Sequence, residues 1–382
     1  MAEVYIIEAL RSPIGIGKPD TGVLHRLHPV DLAARILRAV VEHAAVDPSA
    51  VEDVILGCVT PIGDQGANLA RLAALKAGLP VEVPGVQLNR MCGSGQQALH
   101  FAAQAILAGD MELVMAGGVE MMSRVPLGRD YPDRWPDDFP YPLVHQGQSA
   151  EMMAHRWRLS RDALDDFAYT SHLRAARARR QRSADGPIVP LDVAAPEGPP
   201  IRVEDDQGVR LSPDRARMAQ LKPVFQEQGV VTAGNSSQVS DGAAIALLAS
   251  EQAVRTHGLR PRARIVARVV VGSDPVLMLD GPIPATRRVL QRAGLSIEAI
   301  DWVEINEAFA CVPLAWQVET HADPERVNPH GGAIAHGHPL GATGGVLMAK
   351  LVHGLAASGG RYGLQTMCIG HGMATATVVE RM

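Results

Sequence analysis

Four polar side chains in this sequence are of the types that acyl transfer through a thioester requires. They are Cys92, Asn306, His338 and Cys368. A thiolate is a strong nucleophile, an imidazole can take up and return its proton, and a second thiol can pass a proton to a leaving group. Two thiols, one imidazole and one carboxamide that meet in one pocket would therefore suit a reaction in which a cysteine carries an acyl group.

Cys92 lies in NRMCGSGQQALHFAAQAILAG, after a predicted strand over Val83–Leu88. Behind it, Gln96–Leu107 is Ala-rich and free of proline, which predicts a buried helix. The sulfur would then lie beside the first helical turn, where unpaired N–H groups and the helix dipole favour a thiolate. A packed cysteine at a tight strand-to-helix turn is the alternative interpretation, because free cysteine is often buried.

The other three residues also stand where predicted strands end or predicted helices begin. Asn306 follows a strand over Trp302–Ile305, Cys368 ends a strand, and His338 opens a Gly-rich turn into a helix over Thr343–Ala357. Sites in open α/β sheets form at the carboxyl ends of the strands. We therefore expect these distant residues to converge on one pocket.

Strands that alternate with helices predict a largely parallel sheet covered on both faces. The order of Cys92, Gly-rich turn, helix and strand is repeated by His338, Gly-rich turn, helix and strand, which indicates an internal repeat. We predict an N-terminal α/β half at residues 1–123 plus 243–262, an inserted domain at 124–242 that hangs from the first half, and a C-terminal α/β half at 263–382.

The insertion is expected to be irregular at first and helical later. Arg124–Pro142 is rich in proline and predicts a loop, whereas Ser160 can cap a helix from Arg161 to about Arg182. The arginines in the last turns of that helix indicate a solvated face that complements the helix C-terminus, with a phosphate site as the alternative.

The bulk composition narrows the class of protein. Hydrophobic residues make up 47% and charged residues 20% of the chain, as in a compact globular protein, and the formal net charge of −5 argues against broad nucleic-acid binding. The N-terminal residues predict a first strand and not a signal peptide, and no apolar run approaches the roughly 18 residues of a membrane-spanning helix. We therefore expect no membrane association.

The four cysteines are scattered, without the spacing of a metal site or a disulfide framework. This pattern suits a reducing cytoplasm and predicts no bound metal. We expect Cys58 and Cys311 to have packing roles.

Four segments together resemble those of the thiolase family, the 3-ketoacyl-CoA and acetyl-CoA acyltransferases. They are NRMCGSGQQA around Cys92, NEAFA at Asn306, GGAIAHGHPLGATG around His338 and CIGHGMA around Cys368. The resemblance extends from roughly residue 3 to residue 381. It implies a duplicated five-layered α-β-α-β-α fold with an inserted loop domain, and a homodimer or homotetramer that binds acyl-CoA and CoA.

The resemblance also implies a role for each matching residue. Cys92 would be the acylated nucleophile, and His338 would activate it and bind the thioester oxygen together with a water held by Asn306. Cys368 would protonate the released enolate and then deprotonate CoA. The backbone N–H groups of Cys92 and Gly370 would form a second oxyanion hole. No permanent cofactor is implied, since CoA is a co-substrate.

The CoA site implied by the resemblance lies mostly in the insertion. VTAGNSSQVSDGAA resembles the segment that lines the pantetheine, which points to Ser237 and Ala233, and His145 matches a nearby pocket residue. Arg210 and Phe225 fall where the family contacts the adenine nucleotide, although Arg210 is alternatively a solvated surface arginine. The loop before His145 is where substrate choice usually lies in the family.

Two residues depart from the family pattern. His371 replaces the glycine that usually follows Gly370, and His336 precedes the Gly337-His338 pair. Either imidazole could perturb the pKa of Cys368 or of His338. Alternatively, both fill space near the end of the sheet.

The leading hypothesis is a degradative thiolase that cleaves a 3-ketoacyl-CoA to acetyl-CoA or propionyl-CoA and a shortened acyl-CoA. The first alternative is condensation of two acetyl-CoA molecules, which Gln146 disfavours because short-chain biosynthetic members often carry methionine there. A decarboxylating ketosynthase would pair its cysteine with two histidines. A non-catalytic acyl-CoA-binding protein would not need all four polar side chains.

Overall fold

The computed structural model describes residues 3–181, 186–195 and 197–382. The strands are β1 (Val4–Arg11), β2 (Gly15–Ile16), β3 (Asp53–Gly57), β4 (Val86–Leu88), β5 (Leu113–Met121), β6 (Leu191–Val193), β7 (Ile201–Val203), β8 (Ser240–Ser250), β9 (Ala263–Gly272), β10 (Trp302–Ile305), β11 (Tyr362–Ile369) and β12 (Met373–Arg381). The helices are α1 (Pro29–Ala44), α2 (Leu69–Ala77), α3 (Ser94–Ala108), α4 (Gln146–Arg156), α5 (Arg161–Arg180), α6 (Arg215–Ala219), α7 (Glu251–His257), α8 (Pro282–Ala293), α9 (Cys311–Thr320), α10 (Ala333–His336) and α11 (Thr343–Ser358). Ser160 caps α5 as predicted, while the predicted end of that helix at Arg182 lies outside the described residues.

The main sheet has the order β10-β11-β12-β9-β1-β8-β5-β3-β4, with β2 paired to β8. In the first half β3 is parallel to β5, and β8 is antiparallel to both β5 and β1. In the second half β10 is parallel to β11, and β12 is antiparallel to both β11 and β9. The same order and directions confirm the predicted duplication.

The prediction of a largely parallel sheet was wrong. Most strand pairs are antiparallel because each half contains one returning strand between two others, β8 in the first and β12 in the second. β12 follows β11 after only three residues, a connection too short for a parallel crossover. Strands alternate with helices in only part of each half. β8 and β12 do not belong to that part.

Five layers follow from the way successive side chains of a strand point to opposite faces. On β1, Tyr5 and Ile7 enter a core with α1 and α2, whereas Val4 and Ile6 enter a core with α3 and α11. That second core also receives Ile265 from the second half of the sheet. A third core packs α8 and α9 against the outer face of the second half. The order is therefore helices, sheet, helices, sheet, helices.

The insertion leaves the chain from the first half but packs mainly on the second. Met153 of α4 and Ala168 of α5 share a core with Phe309 and Trp316, whereas Leu191 of β6 joins the first-half core. As expected, the insertion is connected to the first half at both ends. Its side chains nevertheless pack mainly against the second half. This packing places α4 and α5 next to the segment that contains Asn306.

The expectation that no apolar run reaches the length of a membrane span was also wrong. Leu340–Ser358 is long and apolar enough by composition, but 89% of its most apolar window is buried inside the protein. Its apolarity is explained by the central layer, where α11 is covered by α3 and by both halves of the sheet.

Candidate active site

The helices α3 and α11 begin against each other, and glycines allow this contact. A Cβ atom on Gly95 would lie 2.6 Å from the carbonyl oxygen of Gly341, and one on Gly344 would overlap the backbone nitrogen of Gln96. Because backbone meets backbone here, the segment of Cys92 and the segment of His338 are held together. The structure thus joins two of the four segments that the sequence singled out.

Cys92 is buried at the turn before α3 and follows Met91, whose φ of 46° is left-handed. The N–H groups of Gly370 and of Cys92 itself approach the sulfur and lower its pKa, but burial raises it more, to about 11. The N–H groups at the helix terminus therefore favour the thiolate, as expected, but burial outweighs them and the net effect is a raised pKa. The two N–H groups predicted to form an oxyanion hole do converge on this sulfur.

Cys368 lies at the end of β11 and is also buried. Burial raises its pKa well above the usual value, and the charge of Cys92 is the next cause, so the two sulfurs lie close enough to interact. Cys58 and Cys311 are likewise free and buried, with pKa values raised by burial. Among the described residues, no group of three or more His, Cys, Asp or Glu side chains could hold a metal ion.

His338 and Asn306 are in direct contact, with 3.3 Å between Asn306 Nδ2 and His338 Nε2. On its other side, His338 Nδ1 lies 2.6 Å from the hydroxyl oxygen of Thr343. Burial lowers the pKa of His338 to about 4, so the imidazole is neutral near neutral pH. Asn306 Oδ1 is buried and has no partner among the described residues, which leaves a carbonyl acceptor available to a ligand.

Two buried carboxylates hold the histidine segment at both ends. Glu307 accepts hydrogen bonds from the Ile334 N–H (3.2 Å) and from Asn328 (2.8 Å), and Glu120 accepts one from the Gly341 N–H (2.9 Å). Burial raises the pKa of both carboxyl groups, and the hydrogen bonds oppose that effect. Neither carboxylate was predicted from the sequence, although a charge within an apolar strand or at its end was a signal for them.

Three of the predicted CoA residues gather beside Asn306. The Ser237 N–H donates to the Ala308 carbonyl oxygen (2.9 Å). His145 caps α4 and stacks on Phe225 with 5.2 Å between ring centroids, and Phe225 meets the edge of Phe309 at 6.0 Å. An aromatic wall thus continues from the insertion to the NEAFA segment.

The other two predicted CoA residues are placed differently. Ala233 is exposed on the same segment as Ser237. Arg210 is exposed, and its backbone N–H donates to His172 on α5 (3.3 Å). Contact of Arg210 with the adenine nucleotide of CoA stays a prediction.

The proline-rich loop brings aromatic rings near Cys92 and His371. Trp135 lies between Tyr131 and His371, with ring centroids 6.0 Å and 6.3 Å away. The charge of Cys92 is among the causes that raise the pKa of Tyr131, after burial and the charge of Asp130. Methionines complete the apolar surroundings of Cys92, namely Met91, Met122, Met367 and Met373.

The two unexpected histidines do not act on the pKa values of the catalytic candidates. Burial is the sole cause of the lowered pKa of His338, and burial, Cys92 and Cys311 head the causes for Cys368. His336 is buried against Lys350, and His371, with a left-handed φ of 64°, contacts Trp135. The space-filling interpretation is therefore favoured for the buried His336, whereas His371 is exposed and contacts the loop.

Comparison with known proteins gives one consistent result. Family models described as the thiolase N-terminal domain and the thiolase C-terminal domain match residues 4–252 and 259–381. The chain is 46% identical to the steroid 3-ketoacyl-CoA thiolase FadA6 of Mycobacterium tuberculosis, over 100% of this chain and 95% of that protein. It is 44% identical to the beta-ketoadipyl-CoA thiolase of Pseudomonas aeruginosa, over 100% and 99%. The crystal structure of the Bacillus anthracis acetyl-CoA acetyltransferase matches with a TM-score of 0.92 and 37% identity, over 100% and 99%.

Proposed function

This chain belongs to the thiolase family, and from that premise we propose that it cleaves a 3-ketoacyl-CoA with CoA through an acyl group on Cys92. The observation that carries this proposal is the paired geometry around the cysteine and the histidine. The Gly370 N–H approaches the Cys92 sulfur, and Asn306 contacts His338 at 3.3 Å. The Gly370 N–H can donate to the oxyanion that forms when Cys92 attacks, and Asn306 can hold His338 in place as the proton acceptor.

The reaction begins with both catalytic side chains neutral. Cys92 passes its proton to His338 as the sulfur attacks the C3 carbonyl of the substrate. The N–H groups of Cys92 and Gly370 stabilise the resulting oxyanion, and losing one such donor costs about 3 kcal/mol of barrier. The C2–C3 bond then breaks, and the released enolate takes a proton from Cys368.

The second half of the reaction restores the enzyme. The Cys368 thiolate takes the proton of an incoming CoA thiol, and the CoA sulfur attacks the acyl group on Cys92. When the tetrahedral intermediate collapses, the shortened acyl-CoA leaves and the Cys92 sulfur recovers its proton from His338. Cys92 regains its proton from His338 and Cys368 gains the proton of CoA, so the cycle consumes only 3-ketoacyl-CoA and CoA.

The direct test is incubation of the protein with acetoacetyl-CoA, or longer 3-ketoacyl-CoA esters, and CoA. Acetyl-CoA should be formed, and intact-mass spectrometry should detect an acyl group on the wild-type chain. Cys92→Ala should retain the fold by circular dichroism and acquire no acyl group. Failure to cleave any 3-ketoacyl-CoA would overturn the proposal, and a labelled acyl group retained on Cys92→Ala would overturn the nucleophile assignment.

Within the family, we propose that the acyl chain is bulky and apolar. The Met-rich surroundings of Cys92 and the rings of Tyr131 and Trp135 support this class, because they offer polarisable, apolar contact to an acyl chain. The name of the FadA6 relative, a steroid thiolase, agrees with it. A higher kcat/KM for a ring-bearing 3-ketoacyl-CoA than for 3-oxoadipyl-CoA is expected, and the reverse order would exclude it.

We propose that the chain forms a homodimer through the β4 edge of the sheet. β4 ends the strand order, and exposed apolar residues lie on it or on the neighbouring α2 and its following loop, namely Leu72, Leu75, Val81 and Val86. Such an edge is normally covered in solution. Light scattering should give a dimer mass or, if dimers pair, a tetramer mass, and Val86→Lys should shift the mass toward the monomer. A wild-type monomer would contradict the proposal.

We also propose a cytoplasmic location. Four free, buried thiols suit a reducing compartment. Cell fractionation of the native host would test the location.

A further inference from the structure

The proton on His338 can be placed by following the hydrogen bonds around the ring. The Thr343 hydroxyl lies 2.8 Å from the Pro339 carbonyl oxygen, which can only accept, so its single hydrogen points there. The same hydroxyl oxygen lies 2.6 Å from His338 Nδ1. With its hydrogen committed to Pro339, Thr343 can only accept from the ring, and Nδ1 must carry the proton.

The opposite side of the ring requires the same tautomer. If Nδ1 carries the proton of a neutral imidazole, Nε2 bears a lone pair. Asn306 Nδ2, which can only donate, lies 3.3 Å from that atom. The two contacts therefore agree, and burial keeps the imidazole neutral by lowering its pKa.

We propose that Thr343 is the positioning residue that holds His338 with its proton on Nδ1, so that Nε2 is the atom that receives the Cys92 proton. The inference rests on the proposed thiolase function. In the proton transfer the S–H bond breaks, Nε2 gives up its hydrogen bond from Asn306, and an Nε2–H bond forms. The positive charge that develops on the ring strengthens the hydrogen bond from Nδ1 to the Thr343 oxygen. Thr343 acts only through His338.

The position of Thr343 explains how the chain maintains this arrangement. Thr343 is the first residue of α11, and its hydroxyl bonds to the carbonyl four residues earlier, directly after His338. Thr343 and His338 are both buried, so water does not compete for these bonds. The ring orientation is thus fixed by the turn that precedes α11.

The kinetic test compares three variants. Thr343→Val keeps the shape and removes the acceptor, so acylation of Cys92 by acetyl-CoA, followed by intact mass, should slow by about 100-fold while the KM for CoA is unchanged. Thr343→Ser restores the hydroxyl and should recover most of the rate. Thr320→Val is the matched control, because Thr320 makes the same bond to a carbonyl four residues earlier on α9. A Thr343→Val rate equal to that of the control would overturn the proposal.

A spectroscopic test separates this proposal from the proposed function. In ¹⁵N-histidine spectra at pH 7.5, with His338→Asn used for assignment, wild-type His338 should show a protonated Nδ1, and Thr343→Val should show increased Nε2 protonation. Protonation of wild-type His338 on Nε2 would refute the inference even if the enzyme is an active thiolase. Protonation on Nδ1 in a protein without turnover would support the inference and refute the function.

Discussion

The ammonium group of Lys350 lies 2.8 Å from the carboxylate of Glu304, and both side chains are buried. Lys350 belongs to α11, which follows His338, and Glu304 belongs to β10, which precedes Asn306. The same ammonium group donates to the Gly331 carbonyl oxygen at the start of the histidine segment. This ion pair therefore ties together the two segments whose side chains meet in the Asn306–His338 contact.

Lys350→Met should lower the free energy of unfolding by about 3–5 kcal/mol, because it leaves the Glu304 carboxylate buried without its countercharge. Urea unfolding followed by circular dichroism measures the change. Arg255→Met is the control, since Arg255 pairs with Glu251 on the surface of α7 and should cost less than about 0.5 kcal/mol. Adding Glu304→Gln to Lys350→Met should recover part of the loss. A loss below about 1 kcal/mol for Lys350→Met would contradict the assigned role.

Stability should fall as the pH is lowered from about 6.5 to about 4. Burial lowers the pKa of several histidines, to about 3 for His100 and about 4 for His172, His330 and His338. Between the unfolded value of about 6.5 and these folded values, the unfolded chain binds more protons, so acidification favours unfolding. Each fully buried histidine should remove about 2 kcal/mol of unfolding free energy between pH 7 and pH 5.

Urea unfolding of His100→Gln at both pH values checks this relation. The pH dependence should weaken in His100→Gln, whereas His43→Gln, at an exposed position of α1, should retain the wild-type dependence. A wild-type stability that does not change between pH 7 and pH 5 would show that these histidines titrate normally in the folded protein.

Trp135→Ala should lower kcat/KM for a ring-bearing 3-ketoacyl-CoA by about 10-fold, the loss expected when one stacking contact of about 1 kcal/mol and its buried area disappear. The value for acetoacetyl-CoA should be nearly unchanged, because a short acyl group does not reach the ring. Tyr141→Ala, at a more exposed position near the end of the same loop, is the control. Equal losses for both substrates would indicate that Trp135 orders the loop instead of contacting the acyl chain.

Gly344→Ala should lower the free energy of unfolding by about 1–3 kcal/mol, because the added methyl group overlaps the Gln96 backbone, which cannot rotate away. Thermal unfolding and thiolase activity should both decline, since the overlap separates the starts of α3 and α11. Gly272→Ala is the matched control, because a Cβ atom there meets nothing within 4 Å. A Gly344→Ala protein with wild-type melting temperature would refute the tight backbone contact.

Local patterns were sufficient for much of the fold and for the convergence of the four segments. The strand over Trp302–Ile305, the helix that begins at Thr343 and the Ser160 cap depend on neighbouring residues and were predicted from them. The directions of the strands were not predicted correctly. β8 pairs with β1 across more than half of the chain, and no local pattern encodes that pairing.

The parts of the site that were missed depend on distant residues. The pKa of Cys92 is governed by burial against Leu340 and Ile369, which the sequence near Cys92 does not reveal. Thr343 stands inside a recognised segment, yet its role follows only from the direction of one hydroxyl hydrogen. The contact between Trp135 and His371 likewise joins parts of the chain that no periodic pattern connects.

Because of the glycine contact between α3 and α11, the residues that determine reactivity differ from those that determine substrate selectivity. The relative placement of the cysteine and histidine segments is set by main chain against main chain, at Gly95 and Gly344. The rings that we propose face the acyl chain, such as Trp135, belong to a different segment of the chain. Exchanges in that loop can therefore give the protein new substrates over evolutionary time while the spacing of the reacting atoms is preserved.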